Sequence, residues 1–320
     1  MAEMDKRDIA VVGAGFMGTV IATVYARHGY RVRITDVSPA ALASFGERAE
    51  PIVSSLVAER MDAGAILANV KPEPSIDVAV EGCFFVHEAI HENLAAKQEL
   101  FARLDQLCPP EVVLGTNTSS FRLSDISKEV RHRERVLGVH YITPAHIIDL
   151  VELIRAEFTP DTLIEWGHAF LKSIDHVGVV CAEVPGFLVN RLQYALLSEA
   201  YHIVESGIAS REDVDKAMRL SLGPRLALWG PLLTEDLVVS KKTSAPIWDY
   251  LHDKTGDPKF LRPPAITRFV EAGELGAITG KGWYSFAAEY PSVVRTRDTQ
   301  LKSLLQWLSE RDRVGEFKAS

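Results

Sequence analysis

The sequence predicts a doubly wound α/β domain over residues 1–184 and an all-α domain over residues 185–320. Three observations lead there. The chain has 320 residues, room for two domains at roughly 100–200 residues each. In the first half, short apolar runs alternate with helical patterns, which means βαβ units and a parallel sheet with helices on both faces. After Pro185-Gly186 only helices and loops follow, so the boundary falls near residues 182–186.

Taken in order, strands are expected at Ile9–Val12, Arg31–Asp36, Cys83–His87, Val112–Gly115, Val136–Tyr141 and Val177–Cys181. Nearly all-apolar runs such as Ala10-Val11-Val12 suit a sheet buried on both sides. Helices are expected at Met17–His28 and Leu94–Leu107, where apolar residues recur at spacings of three and four. Phe187–Glu205 is a long helical pattern. Arg211–Leu220 follows, opened by Ser210 as N-cap with Asp213 three residues on, an acidic variant of the capping box. Leu301, Leu304, Leu305 and Leu308 make one apolar stripe near the end.

Composition excludes several classes. A hydrophobic fraction of 47% with 24% charged residues is that of a globular protein, not a disordered one. Forty-three acidic residues against 35 basic ones, net −8, argue against a nucleic-acid binder, which needs a basic face. The densest basic run, Arg131-His132-Arg133-Glu134-Arg135, reads as a solvated helix end. Cys83, Cys108 and Cys181 are few, odd in number and without C-x-x-C, which suggests a reducing compartment. No spacing suits a metal site. No apolar run reaches the ~18 residues of a membrane span. The charged start, residues 1–8, leads straight into a strand and reads as neither signal nor transit peptide. The expected location is the cytoplasm.

Residues Gly13-Ala14-Gly15-Phe16-Met17-Gly18 spell G-x-G-x-x-G between a strand and a helix. Gly13 permits the tight turn, Gly15 lets a pyrophosphate approach the backbone, and Gly18 allows close helix–strand packing. The helix N-terminus offers free N–H groups and partial positive charge. Asp36 ends the next strand about 20 residues on, where a carboxylate reads the ribose hydroxyls and repels a 2′-phosphate. Strand, glycines, helix and acid together indicate a Rossmann-like domain binding NAD rather than NADP. A glycine turn serving packing alone is the bland alternative. FAD is another, but no flavin domain follows.

Ligands of such sheets lie beyond the carboxyl ends of the strands. After Cys83–His87 come Glu88-Ala89-Ile90-His91-Glu92-Asn93 and then Lys97. After Val112–Gly115 comes Thr116-Asn117-Thr118-Ser119-Ser120. After Val136–Val139 come His140-Tyr141-Ile142-Thr143-Pro144 and Leu150-Val151-Glu152-Leu153-Ile154. The second domain opens with Pro185-Gly186-Phe187-Leu188-Val189-Asn190-Arg191.

This ordered set, T-N-T-S-S, H-x-x-x-P, L-V-E and P-G-F-x-x-N-R, resembles the L-3-hydroxyacyl-CoA dehydrogenase family. The resemblance runs to Gly280-Lys281-Gly282-Trp283-Tyr284. Within the family, Asn190–Leu196 and Gly223–Pro231 look most like the branch of L-gulonate 3-dehydrogenase and lambda-crystallin. The resemblance implies that His140 is the general base, a role suited to an imidazole. It implies that Glu152 orients the ring and stabilises the imidazolium. Ser119 and Asn190 would hydrogen-bond the reacting oxygen. Glu92 and Lys97 would lie near the nicotinamide ribose, with Asn117 and Thr143 on the cofactor side. Singly, each has a bland reading: a structural histidine, a buried carboxylate partner, serines capping a helix around Leu123–Lys128, an asparagine at a helix start.

The chain departs from the family at three places. Thr143 stands where an asparagine is usual, Ile278 where thioester-acting members carry lysine, and His146 where they carry proline. His146-Ile147-Ile148 resembles the pyridoxine-degradation dehydrogenases locally. Coenzyme A phosphates need basic partners. Between Asp36 and Val70 there is no lysine, only Arg48 and Arg60. Arg225 is expected to face the cleft, where a guanidinium would grip a free carboxylate, or else to make an interdomain or dimer salt bridge. The first expectation is therefore NAD-dependent oxidation of the 3-hydroxyl of a free hydroxy acid. A 3-hydroxyacyl-CoA is the runner-up. A pyridine-ring alcohol or aldehyde dehydrogenase and a lambda-crystallin-like NAD-binding structural protein are the further alternatives. A homodimer through the C-terminal domain is expected, with Leu192–Val204 supplying a face.

Overall fold

The computed structural model describes residues 8–56 and 63–311. They fall into two compact units that divide between Leu196 and Leu197.

The first unit is built on an eight-stranded sheet in the order β3-β2-β1-β4-β5-β6-β7-β8. The strands are β1 (Asp8–Val12), β2 (Arg31–Thr35), β3 (Val70–Pro72), β4 (Phe85–Glu88), β5 (Val113–Thr116), β6 (Val136–Tyr141), β7 (Leu150–Arg155) and β8 (Val177–Ala182). Helices α1 (Phe16–Arg27), α2 (Pro39–Ala43), α3 (Phe45–Leu56), α4 (Ala63–Ala68), α5 (Ile76–Val80), α6 (Leu94–Leu107), α7 (Leu123–Ile126) and α8 (Asp161–Ser173) connect them. Alternate residues of β1 serve different cores: Ile9 and Val11 join one cluster, Ala10 and Val12 the other. That is the period of two expected of a strand covered on both faces. Strand order reverses between β1 and β4, the switch point where such sheets bind their ligands.

The doubly wound expectation holds, with corrections. β3 and β7 were not anticipated as strands. The sheet is not parallel throughout, because β6 and β7 pair antiparallel with His140 opposite Glu152. The basic run is a short 3₁₀ turn, not a solvated helix end: Arg135 is 4% exposed and pairs with Asp105 at 2.8 Å. Ser119 and Ser120 do not cap α7, whose N-cap is Arg122.

Helix α9 (Val189–Glu205) starts two residues later than its pattern suggested, because Gly186 and Phe187 both take positive φ. The second unit contains α10 (Arg211–Ala217), a π-turn at Met218–Leu222, α11 (Gly223–Val238), α12 (Lys241–Thr255), α13 (Pro264–Glu271) and α14 (Tyr290–Glu310). The π-turn ends the helix expected over Arg211–Leu220. Helix α11 is kinked where Gly230 (φ 70°) precedes Pro231. Lys241 is fully buried on Asp236, which also accepts the Tyr284 N–H at 2.9 Å. A Cβ on Gly282 would lie 2.3 Å from that carboxylate, which explains the second glycine of G-K-G-W-Y. No described helix is long and apolar enough to cross a membrane.

Candidate active site

Two cavities of the first unit open beside the glycine turn. The larger, about 630 Å³, is lined by Gly13, Gly15, Asp36, Val37, Ala89, Ile90 and Arg103 among others. Gly13 has φ +110° and a Cβ there would lie 2.5 Å from the Ala89 carbonyl, so only glycine fits. A Cβ on Gly18 would overlap the Gly13 carbonyl at 1.8 Å. On Gly15, by contrast, a Cβ would meet nothing within 4 Å. The three glycines thus divide as expected, two by crowding and one by facing open space. Asp36 receives the Ala14 N–H at 2.6 Å and the Ser38 N–H at 2.8 Å. A carboxylate has about four acceptor sites, so capacity remains for ribose hydroxyls. Of the remaining motif residues, Phe16 is 58% exposed and Met17 lines the smaller cavity. This cradle fits a dinucleotide.

The smaller cavity, about 230 Å³, brings together Met17, Asn117, Ser119, His140, Thr143 and Asn190. His140 and Glu152 are register partners on antiparallel strands, so their side chains share a face of the sheet. His140 Nδ1 and Glu152 Oε2 are 2.7 Å apart. Against an ionised carboxylate Nδ1 carries the proton, which leaves Nε2 as the acceptor. Nε2 lies 3.0 Å from Ser119 Oγ. His140 is 5% exposed and Glu152 is fully buried.

Glu152 owes its setting to the P-G-F turn. The left-handed pair Gly186 (φ 78°) and Phe187 (φ 48°) turns the chain so that the Leu188 and Val189 N–H groups meet Glu152 Oε1 at 2.9 and 2.7 Å. Burial alone would raise the carboxyl pKa. The bonds from His140, Val189 and Leu188 outweigh it and hold the group below the ordinary carboxylate range. Phe187, buried, sets its ring 5.7 Å from that of His140. The next residues of α9 carry Asn190 and Gln193 to the cavity wall.

The loop carrying Ser119 is gathered by Glu92. One oxygen of Glu92 accepts from Thr118 Oγ1 at 2.6 Å, from the Ser119 and Ser120 N–H groups at 3.1 Å each, and from Ser120 Oγ at 2.7 Å. Burial opposes the charge on Glu92, but Thr118, Ser120 and Lys97 lower its pKa overall. Lys97, 1% exposed, sits 2.5 Å from Glu88 and 3.3 Å from Glu92. Its ammonium is therefore part of the frame behind the loop rather than a surface group. Glu88 was not singled out in the sequence, yet it is fully buried and also receives Thr116 Oγ1 at 2.5 Å. The signal was present: a carboxylate ending an apolar strand, with a lysine in the following helix. Asn117 accepts the Tyr141 N–H at 2.8 Å and so ties this loop to β6. The Thr143 hydroxyl meets Met17 Sδ at 3.5 Å.

One expected substrate residue of the first unit is not brought to this cavity's wall. His146 lines neither cavity, and its Nδ1 is buried without a partner. Arg225 belongs to the second unit and bonds locally, to the Ser221 carbonyl and hydroxyl at 3.1 Å each, with no carboxylate partner among the described residues. Ile278 is exposed. Arg60 lies outside the described residues. Arg48 is committed to backbone oxygens of Ala14 and Ala41.

A glycine turn at the switch point of a doubly wound sheet, next to a buried histidine–carboxylate couple, defines a dehydrogenase of the NAD-linked class acting on a CH–OH group. Residues 8–184 match the NAD binding domain of 3-hydroxyacyl-CoA dehydrogenase and residues 186–286 match its C-terminal domain. The chain belongs to the 3-hydroxyacyl-CoA dehydrogenase family. It is 32% identical over 297 residues to a probable 3-hydroxybutyryl-CoA dehydrogenase of Bacillus subtilis, covering 88% of this chain and 98% of that one. Among solved structures, a 3-hydroxyacyl-CoA dehydrogenase of Archaeoglobus fulgidus superposes with TM-score 0.80 at 30% identity, over 95% of this chain and 99% of that one. The NAD-dependent 5-formyl-3-hydroxy-2-methylpyridine 4-carboxylic acid 5-dehydrogenase superposes with TM-score 0.70 at 27% identity, over 94% and 97%. NAD is the cofactor that the matched domain binds.

Proposed function

We propose that the protein oxidises the 3-hydroxyl of a 3-hydroxyacyl-CoA, such as 3-hydroxybutyryl-CoA, to the 3-keto thioester, reversibly. The acyl-CoA relatives support this reading over the free hydroxy acid that the gulonate-like stretches first suggested. The observation that carries the chemistry is the Ser119–His140–Glu152 line, with spacings of 3.0 and 2.7 Å.

In this reading His140 Nε2 takes the substrate hydroxyl proton, and the Nδ1–H bond to Glu152 stabilises the resulting imidazolium. Ser119 Oγ and the Asn190 side chain donate to the reacting oxygen, which bears negative charge as the carbonyl is reduced in reverse. The glycine turn and Asp36 hold the dinucleotide, with Met17, Asn117 and Thr143 bordering its reactive end. NAD, when bound, supplies the hydride acceptor.

The reading extends to assembly and location. Leu192, Tyr194, Leu196, Tyr201 and Val204 are exposed apolar side chains along α9, which supports a homodimer. A monomeric mass in sedimentation at micromolar concentration would remove that part. Cys83, Cys108 and Cys181 are all free thiols, which supports the cytoplasm.

The test is a panel of 3-hydroxybutyryl-CoA, L-gulonate, carnitine and a hydroxymethyl pyridine, each with NAD, followed by NADH absorbance between pH 6 and 10. Turnover of the thioester at least tenfold above the others is expected. Preference for L-gulonate would restore the free-acid reading. Preference for the pyridine would move the protein toward the formyl-pyridine dehydrogenase it resembles in shape.

A further inference from the structure

One peptide of the glycine turn is gripped by a residue from outside the β1–turn–α1 unit. The Ala14 carbonyl accepts from the Arg48 guanidinium at 2.5 Å. Arg48 stands on α3 and is fixed there by the Ala41 carbonyl at 2.7 Å and by the Ser44 hydroxyl. On the other side of the same residue, the Ala14 N–H is held by Asp36. Ala14 is fully buried, and its two partners, Asp36 and Arg48, are half-buried.

A trans peptide is planar, with its C=O and N–H pointing in opposite directions. Pulling the Ala14 carbonyl toward Arg48 therefore turns the Gly15 N–H away from it. That N–H has no acceptor among the described residues. It belongs to the residue whose Cβ position is open and which lines the large cavity. Gly15 is also the N-cap of α1, where unpaired N–H groups and the helix dipole favour an anion.

We propose that Arg48 is a positioning residue for the cofactor pyrophosphate: it holds the Ala14 carbonyl so that the Gly15 N–H faces the anion. Arg48 does not serve as a phosphate ligand itself. Its two terminal nitrogens are taken by carbonyl and hydroxyl oxygens, and its Nε is buried. This also assigns one of the two arginines between Asp36 and Val70 to the cofactor and withdraws it from any acyl carrier.

The test compares Arg48→Met with the natural protein by calorimetric titration of NAD, ADP-ribose and adenosine. ADP-ribose carries the pyrophosphate and adenosine does not. Affinity for NAD and ADP-ribose is expected to fall about tenfold, the loss of one aimed hydrogen bond to an anion, with adenosine unchanged. KM for NAD should rise by a larger factor than kcat falls. If Arg48→Met does not fold, Arg48→Lys replaces it, since a single ammonium lacks the planar fork whose two terminal nitrogens reach Ala14, Ala41 and Ser44, and a three- to tenfold loss confined to the pyrophosphate ligands is expected. ADP-ribose affinity within twofold of the natural protein, or an equal loss for adenosine, would overturn the proposal. Neither measurement involves the acyl substrate, so the substrate reading can fail without touching it.

Discussion

Glu152 carries three N–H donors on a fully buried carboxylate, and this decides how the histidine behaves. A depressed carboxyl pKa means the charged form persists at every pH where the enzyme would work. Its contribution is present above the ordinary carboxylate range and is lost as pH falls through the lower folded value. Glu152→Gln replaces that acceptor with an amide that can present N–H to Nδ1, inverting the tautomer. A kcat loss on the order of 10²–10⁴ is expected, with the smaller change in KM, read by steady-state kinetics. His140→Gln should lose a similar factor while NAD affinity, measured by titration, stays within about twofold. A variant with near-natural kcat would take the base role from His140. The couple was legible in the sequence through the family resemblance, which places His140 in H-x-x-x-P and Glu152 in L-V-E. Glu88 and Arg48 were not, because a buried partner acts only through the group it touches and leaves no pattern of its own.

Strands β6 and β7 turn that couple into a geometric fact. Opposite residues of an antiparallel pair stand a few ångströms apart on one face, and His140 and Glu152 are such residues. The short apolar run Leu150–Ile154 did not declare itself a strand, since a run that short is ambiguous without a turn signal beside it. Its antiparallel direction was invisible as well, because the connecting residues 142–149 contain no two-residue hairpin. Gly138 tests the pairing. A Cβ there would lie 2.5 Å from Ile154 Cβ, with no flexible end to yield. Gly138→Val should therefore push the strands apart, costing about 1–3 kcal/mol by denaturant melt and lowering kcat by at least tenfold. Full activity in a stable variant would mean that the register tolerates more slack than the geometry allows. At Gly18 the crowding is against the Gly13 carbonyl. Gly18→Val should instead abolish NAD binding, which titration would show.

Across the molecule, acid stability follows from one group that takes no part in the chemistry. His87 is fully buried on β4, with Nε2 3.1 Å from the Val139 carbonyl and Nδ1 2.7 Å from the Tyr25 hydroxyl. Between β4 and β6, on β5, lies Gly115, the register partner of His87, where a Cβ would crowd the Phe85 ring at 2.7 Å. Burial lowers its pKa to about 3, despite the bond to Val139. The unfolded chain, with a histidine near 6.5, then binds a proton that the folded chain refuses. Stability is full above pH 6.5 and falls by about 1.4 kcal/mol per unit as pH drops toward 3. His146 is lowered too and adds in the same sense. Glu92, Glu152 and Asp105, all depressed, begin to lose their own contribution below about pH 5, as the unfolded carboxyls take up protons, so the window from 6.5 to 5.5 belongs to the histidines and the comparison with His87→Gln separates the rest. Two compact units can unfold in two steps. The step belonging to the first is the one that NAD raises, because a ligand stabilises only the unit that binds it. Urea melts of that step at pH 6.5, 5.5 and 4.5 should show the loss, and His87→Gln should flatten it even though the variant starts less stable. An unchanged slope in His87→Gln would place the acid sensitivity elsewhere.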